Sequence, residues 1–302
     1  MRRFATFAAV VSVFAGTVVP DGATAGPFGS FGGASCAQLA MPRVPAYKRV
    51  VRDLDVTRTL DIEGPEWNDT LVLGCNVHKV RGDGIRIRNV RNLTIRGCHI
   101  SDIKGVGILL RSTGGTSGVW LVDNLIEGTD SDGIAAAQRA EDGVDHTGLV
   151  IGWNRIDTTG RRGHDGRQHG IYSQASDAVI VSNRISGPRE GNGISVRSSS
   201  LVACNTVSGT SRDDKPGIRY YADHVTGPSK ALIIRGNRVT GSSVGIDIMD
   251  PPGRNADRMD DIVRSVEVTG NRSERFVLTI AHFWLKNKLI KLLQKNNEEI
   301  QK

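Results

Sequence analysis

His169 and Tyr172 stand three residues apart and, with Arg197, Arg219 and Tyr221, are the side chains in this sequence best suited to chemistry. A histidine can take a proton near neutral pH, a tyrosine can give one, and an arginine fork neutralises a carboxylate. Together they make the set needed to remove a proton from a carbon beside a carboxylate. In that set His169 is the base, Tyr172 the acid, and Arg219 holds the carboxylate with Arg197 between them. Tyr221, Gln174, Arg167 and His164 are candidates for further ligand contacts. A second set is acidic. Asp130 and Asp132 are two apart, so an extended strand would turn both carboxyls to one side at a spacing that suits an inverting pair. Asp145-His146 is a reserve pair of acid and histidine. Hard oxygen ligands also suit Ca²⁺, for which Asp130, Asp132, Asp142 and Asp145 are candidates, and no other cofactor is implied.

These residues are scattered along the chain, so a periodic structure must bring them together. One pattern recurs: a short apolar strand, Asn or Cys, any residue, Val or Ile, then Gly-Ile and another strand. The Asn/Cys positions are Cys75, Cys98, Asn124, Asn154, Asn183, Asn205, Asn237 and Asn271, and Gly-Ile or its equivalent follows at Gly84, Gly107, Gly133, Gly170, Gly193, Gly217 and Gly245. A unit of this size cannot bury its apolar face alone, so copies must stack. Each unit is then one turn of a coil, with equivalent strands about 4.8 Å apart in parallel sheets and Val, Ile and Leu inside. The recurring Asn fits a turn where stacked amides bond from coil to coil.

Counting from each Gly-Ile gives the outward rows. The second residue after Gly reads Arg86, Leu109, Ala135, Tyr172, Ser195, Arg219, Asp247, and the fourth reads Arg88, Arg111, Ala137, Gln174, Arg197, Tyr221, Met249. The polar members converge between the third and sixth coils. The longest insertion also falls there, with 16 residues from Asn154 to Gly170 where most coils use 8 to 12. It carries Arg161, Arg162, His164, Asp165 and Arg167 and would wall a groove.

Over about residues 55–275 the pattern resembles the right-handed parallel β-helix repeat of the pectate-lyase-like superfamily. The resemblance implies an all-β solenoid of about eight coils whose chemistry sits on the outer side of one sheet. It also implies a secreted, carbohydrate-active protein, foremost a polysaccharide lyase cleaving a uronate glycan by β-elimination. The order Asp-Ser-Asp-Gly (130–133), Gln-His-Gly (168–170), Gly-Ile-Arg-Tyr-Tyr (217–221) is similar to the motif order of polygalacturonases. That likeness implies hydrolysis, with Asp132 as a catalytic carboxylate, His169 as auxiliary histidine and Arg219 on the substrate. Against it, the intervening Asp pair is missing, Gln168 replaces a glycine, and Tyr220 or Tyr221 stands where lysine is expected. The third reading is a β-helix that binds a glycan or surface without turning it over.

Composition agrees with a solenoid: Gly is 36 of 302 residues and aromatics are 5%. The formal charge is +7, of which the two ends carry more than half, leaving +3 for the body. So mild a bias does not suggest a nucleic-acid-binding stripe, and the acidic polysaccharide expected as partner is what the resemblance implies. Residues 1–25, with Arg2, Arg3, an apolar run and Ala23-Thr24-Ala25, read as an export signal. An extracellular monomer with no membrane segment is expected after its removal. Residues 26–54 read as an extension or cap. Residues 276–302 contain no Arg or Gly and space Leu285, Leu289, Leu292 and Leu293 as an amphipathic helix, either a cap or a foreign tail. Cys75 and Cys98, equivalent in successive coils, are expected as stacked free thiols, while Cys36 and Cys204 have no assigned role.

Overall fold

A computed structural model describes residues 28–41, 46–138, 143–163, 165–221, 229–249, 263, 265–273, 291–295 and 297–299. Its strands form three parallel sheets of 11, 10 and 8 strands that run the length of the molecule. Each coil supplies one strand to each sheet in turn, as in Ala178–Val181, Arg184–Ser186 and Ile194–Val196. The fold is an all-β, right-handed type of parallel solenoid. Its interior is a stack of aliphatic rows, among them Ile156, Ile185, Val207 and Val239, each essentially shielded from solvent. Parallel strands buried on the inner face need this near-continuous apolar sequence.

Between the first and second sheets the recurring asparagines form a buried ladder. Asn183 accepts from the backbone N–H (3.1 Å) and the side-chain amide (2.9 Å) of Asn154, and its own amide donates to Asn205 Oδ1 and to the carbonyl of Ile151, both at 2.9 Å. The same bonds recur from Asn124 to Asn271 and on to Asn297. Asn183→Ala would strand Asn154 N–H, the Asn154 amide and the Ile151 carbonyl in the interior. It should cost about 3 kcal/mol at the usual penalty for buried groups left without partners, read as a lower midpoint in chemical denaturation.

Glycine in the Gly-Ile pair has a packing reason. A Cβ on Gly170 would collide with the carbonyl of Gly193 in the next coil and with Ile185. The corner between the second and third sheets is therefore tight enough to exclude any side chain.

Two expectations need correction. Cys75 and Cys98 are bonded to each other across a Cα separation of 4.4 Å rather than lying as free thiols, because equivalent positions in adjacent coils meet at disulfide distance. The described part of the C-terminal segment is strand, not helix. Lys291–Lys295 pairs with Ser265–Thr269 and Glu298–Glu299 pairs with Arg272–Ser273, because Asn297 continues the ladder and the chain keeps the coil repeat. Residues 276–290 and the export signal lie outside the described residues.

Outside the first sheet, residues 28–41 fold back across the solenoid. Phe28 and Leu39 pack with Val122, Val150, Val179, Val181, Leu201 and Ala203, and Phe31 meets the edge of Trp120. A disulfide joins Cys36 to Cys204, and Arg235 donates to the carbonyls of Phe31 and Gly32 at 2.6 Å. This segment covers an outward apolar stripe that water would otherwise meet.

Candidate active site

The third sheet carries the expected row in register: Ala135, Tyr172, Ser195, Arg219 and Asp247 are successive partners. Above it is a cleft of about 480 Å³ lined by Asp165, Gly166, Arg167, His169, Tyr172, Asn192, Arg197, Lys215, Arg219 and Tyr221. The insertion forms its wall. Arg161 fastens that insertion to Asp102 (3.0 Å) and Asp130 (2.9 Å), and Arg162 also reaches Asp130 at 3.2 Å. Gln168 and Arg167 hydrogen-bond Asp165, which keeps its carboxyl below the usual range.

His169 and Tyr172 stack, with ring centroids 5.6 Å apart and planes 12° from parallel. The Arg197 guanidinium lies 5.3 Å from the Tyr172 ring centroid and 4.8 Å from that of Tyr221, sandwiched by two π-faces. Arg219 is held by Asp247 through Nη2 at 2.8 Å and Nε at 3.0 Å. Burial drives the Asp247 carboxyl upward while Arg219 opposes that shift.

His169 has 4% of its surface exposed. Burial first, then the charges of Arg197, Lys215 and Arg219, push its imidazole down to about 3, so it is neutral at ordinary pH. Its Nδ1 accepts the Asn192 backbone N–H at 2.8 Å. In a neutral ring this puts the proton on Nε2, which donates. The base role expected for His169 therefore reverses, since its free nitrogen offers a proton instead of taking one. Gly191 makes the approach possible, because a Cβ there would strike both the His169 ring and the Gln168 carbonyl.

The acidic alternatives fare differently. Asp130, Ser131 and Asp132 lie between Leu125–Thr129 and Ile134–Ala136 rather than in a strand, so the alternation that was to align the two carboxyls does not apply. Asp130 is committed to Arg161 and Arg162. Asp132 accepts the His169 backbone N–H at 2.6 Å, and burial drives its carboxyl up to about 7 despite that bond. It does not line the cleft. His146 is fully buried, bonded to Thr116 Oγ1 (3.0 Å) and the Ala137 carbonyl (2.7 Å), and Asp145 accepts the His146 and Ser176 backbone N–H groups. Both hold local structure away from the cleft. Gln174 accepts the Gln138 backbone N–H at 2.8 Å and also stays outside the lining. Asp142 and His164 lie outside the described residues. Among the described residues, no group of three or more His, Cys, Asp or Glu side chains is placed to hold a metal ion.

Lys215 and Asn192 are cleft residues that the sequence reading does not single out, whereas Asp165 belongs to the insertion expected to wall the groove. Lys215 stands two before the Gly of its coil, where the other coils have Gly, Ser or Gln, and the charge at that position is its only signal in the sequence. Asn192 Oδ1 and Ser195 Oγ are buried with no hydrogen-bond partner among the described residues. Such atoms are costly unless something else meets them.

His169 and Asp132 also titrate against each other. From pH 3.8 to 6.5 the unfolded chain protonates the histidine and not the aspartate, whereas the folded chain does the reverse, so their effects on stability cancel. Asp132→Asn removes one side of this balance. The variant should lose stability on acidification from pH 6.5 to 4, by about 1.4 kcal/mol per pH unit relative to wild type, whereas His169→Gln should gain over the same range. Denaturation midpoints across that range check both signs.

This architecture defines the class of fold: a right-handed parallel β-helix. Residues 66–144 match the family model described as the right handed beta helix region. Among solved structures the fold is similar to the periplasmic alginate epimerase AlgG, crystallised as a double mutant. The TM-score is 0.53 at 13% identity over 79% of this chain, which spans 55% of the length of that one. No curated protein matches the sequence. No helix among the described residues is long and apolar enough to cross a membrane.

Proposed function

We propose that this protein is an exported carbohydrate-active enzyme that binds an acidic glycan in the third-sheet cleft and removes the proton beside a uronate carboxylate. The carrying observation is the cleft itself, where a stacked histidine–tyrosine pair faces Arg197, Lys215 and Arg219 beside the partnerless Asn192 Oδ1. The cations suit a carboxylate and the bare acceptor suits a sugar hydroxyl. Removal of such a proton builds negative charge on the carboxylate, which fixed cations in a sheltered groove stabilise. With Nε2 of His169 protonated, Tyr172 is the base. In elimination the proton passes to the Tyr172 oxygen, the electron pair of the broken C–H bond forms the new double bond, and the glycosidic oxygen leaves with the proton Tyr172 has just taken, while His169 Nε2–H donates a hydrogen bond and keeps its proton. The fold likeness to an alginate epimerase supports a uronate substrate, because epimerisation begins with the same proton abstraction. Two disulfides support an oxidising, extracytoplasmic setting.

The test is incubation with a panel of polyuronates while absorbance near 235 nm, reducing ends and uptake of solvent deuterium are followed. Rising absorbance establishes elimination, and deuterium uptake without absorbance establishes reprotonation of the same carbanion. New reducing ends alone would move the case to hydrolysis. None of the three on a folded sample would leave glycan binding without turnover.

A further inference from the structure

On the second sheet the residue after each ladder asparagine faces outward. Arg155, Arg184, Thr206 and Arg238 are consecutive partners in that row, followed by Arg272. The inward residues beside them, Ile156, Ile185, Val207 and Val239, are buried, whereas all four arginines are exposed. Neighbouring rungs are about 4.8 Å apart, so like charges stand nearly on top of one another. Like charges directly across strands oppose pairing. Counter-charges are scarce on this face. Arg155 meets Asp157 at 2.6 Å, and Arg272 has Glu298 as its register partner. Arg184 and Arg238 have no ion-pair partner among the described residues. The parallel outward row beyond Asp157 reads Ser186, Ser208 and Thr240, which are hydroxyls rather than carboxylates.

We infer that this face is a second binding surface, separate from the cleft, for a linear acidic polysaccharide laid along the solenoid axis. Four cations over five coils match a polymer with a negative group on each repeat, and the adjoining hydroxyls match its sugar oxygens. The two rows from Arg155 to Arg272 and from Asp157 to Thr240 contain no Phe, Tyr or Trp. A single-stranded nucleic acid, which is ordinarily held by stacking bases on aromatic rings, therefore fits less well. The whole-chain charge conceals the feature, because a modest excess is concentrated in one row. The surface would hold a long substrate while the cleft acts on it, but its binding does not require turnover.

The test measures affinity of the full chain for size-fractionated polygalacturonate, for a di- or trisaccharide of the same sugar, and for an oligonucleotide of equal charge, across a salt series. The Arg184→Ser/Arg238→Ser double variant should bind the polymer at least tenfold more weakly at low salt. Its slope of log affinity against log salt should be shallower by about 1.4, taking the value per charge of a single-stranded polyanion. Binding of the short sugar should not change, and the melting temperature should hold or rise as repulsion is relieved. Unchanged polymer affinity and slope in a folded double variant would overturn the inference. Arginine-dependent binding that favours the oligonucleotide would overturn it too. Should the double variant not fold, Arg184→Thr and Arg238→Thr, each repeating the threonine already at Thr206, carry the same readout singly.

Discussion

Tyr172→Phe is expected to lose turnover of a uronate polymer by about 10²–10⁴-fold, the usual contribution of a positioned proton-transfer group. The substitution deletes one oxygen and keeps the ring that stacks on His169 and lies under Arg197. The cleft should keep its shape, so substrate affinity should change little while the rate collapses. This division separates a proton acceptor from a packing residue, for which KM would move and the rate would not. Retention of full rate in Tyr172→Phe would return the base role to another group and refute the assignment of the stacked pair. His169 provides the complementary check. Because its ring is neutral and its Nδ1 is bonded to Asn192 N–H, its donor role should be insensitive to pH from 5 to 8. A rate limited by the Tyr172 phenolate would instead rise as pH rises.

Cys36→Ser should produce the largest loss of stability. The bond it removes closes 168 residues of chain, and loop-closure entropy for that length is about 5 kcal/mol, an upper figure. By the same relation the 23-residue loop of Cys75–Cys98 is worth about 3 kcal/mol. The loss has a local face as well. Residues 28–41 hold to the first sheet through the disulfide, the two carbonyls gripped by Arg235, and the burial of Phe28 and Leu39. Without the covalent tie, release of this segment should expose Val150, Val179 and Leu201 before the coils unfold, since a solenoid opens locally. Cys36→Ser should thus bind an apolar dye below its main melting transition, and that transition should fall by on the order of 10 °C. A single transition at the wild-type temperature, with no dye bound, would mean the segment is held by packing alone.

The repeat was legible because it is a packing requirement copied down the chain. The Asn ladder must satisfy buried backbone groups in every coil, and Gly170 and its equivalents must leave room for the next carbonyl, so the same residue types return at the same place. Position relative to Gly-Ile then assigned the outward rows, and Tyr172, Arg197, Arg219 and Tyr221 from those rows meet in one cleft with His169 and with Arg167 of the insertion. Asp130 read as a candidate catalytic carboxylate because aspartate looks the same whether it faces substrate or an arginine. Its commitment to Arg161 and Arg162 depends on how a non-repeating insertion folds. Lys215 enters the cleft from a loop of irregular length, where counting from the repeat gives no direction.

By itself, then, the sequence determined the coil and the row on which chemistry could sit, since both are set by local spacing that every unit repeats. Tertiary structure alone decided the tautomer of His169, the pairing of Cys36 with Cys204 and the assembly of outward arginines into one charged line. Each of these depends on which groups from separate coils come within a few ångströms of each other. Hydrogen bonding, disulfide formation and charge repulsion are set by that distance in space, and separation along the chain does not report it.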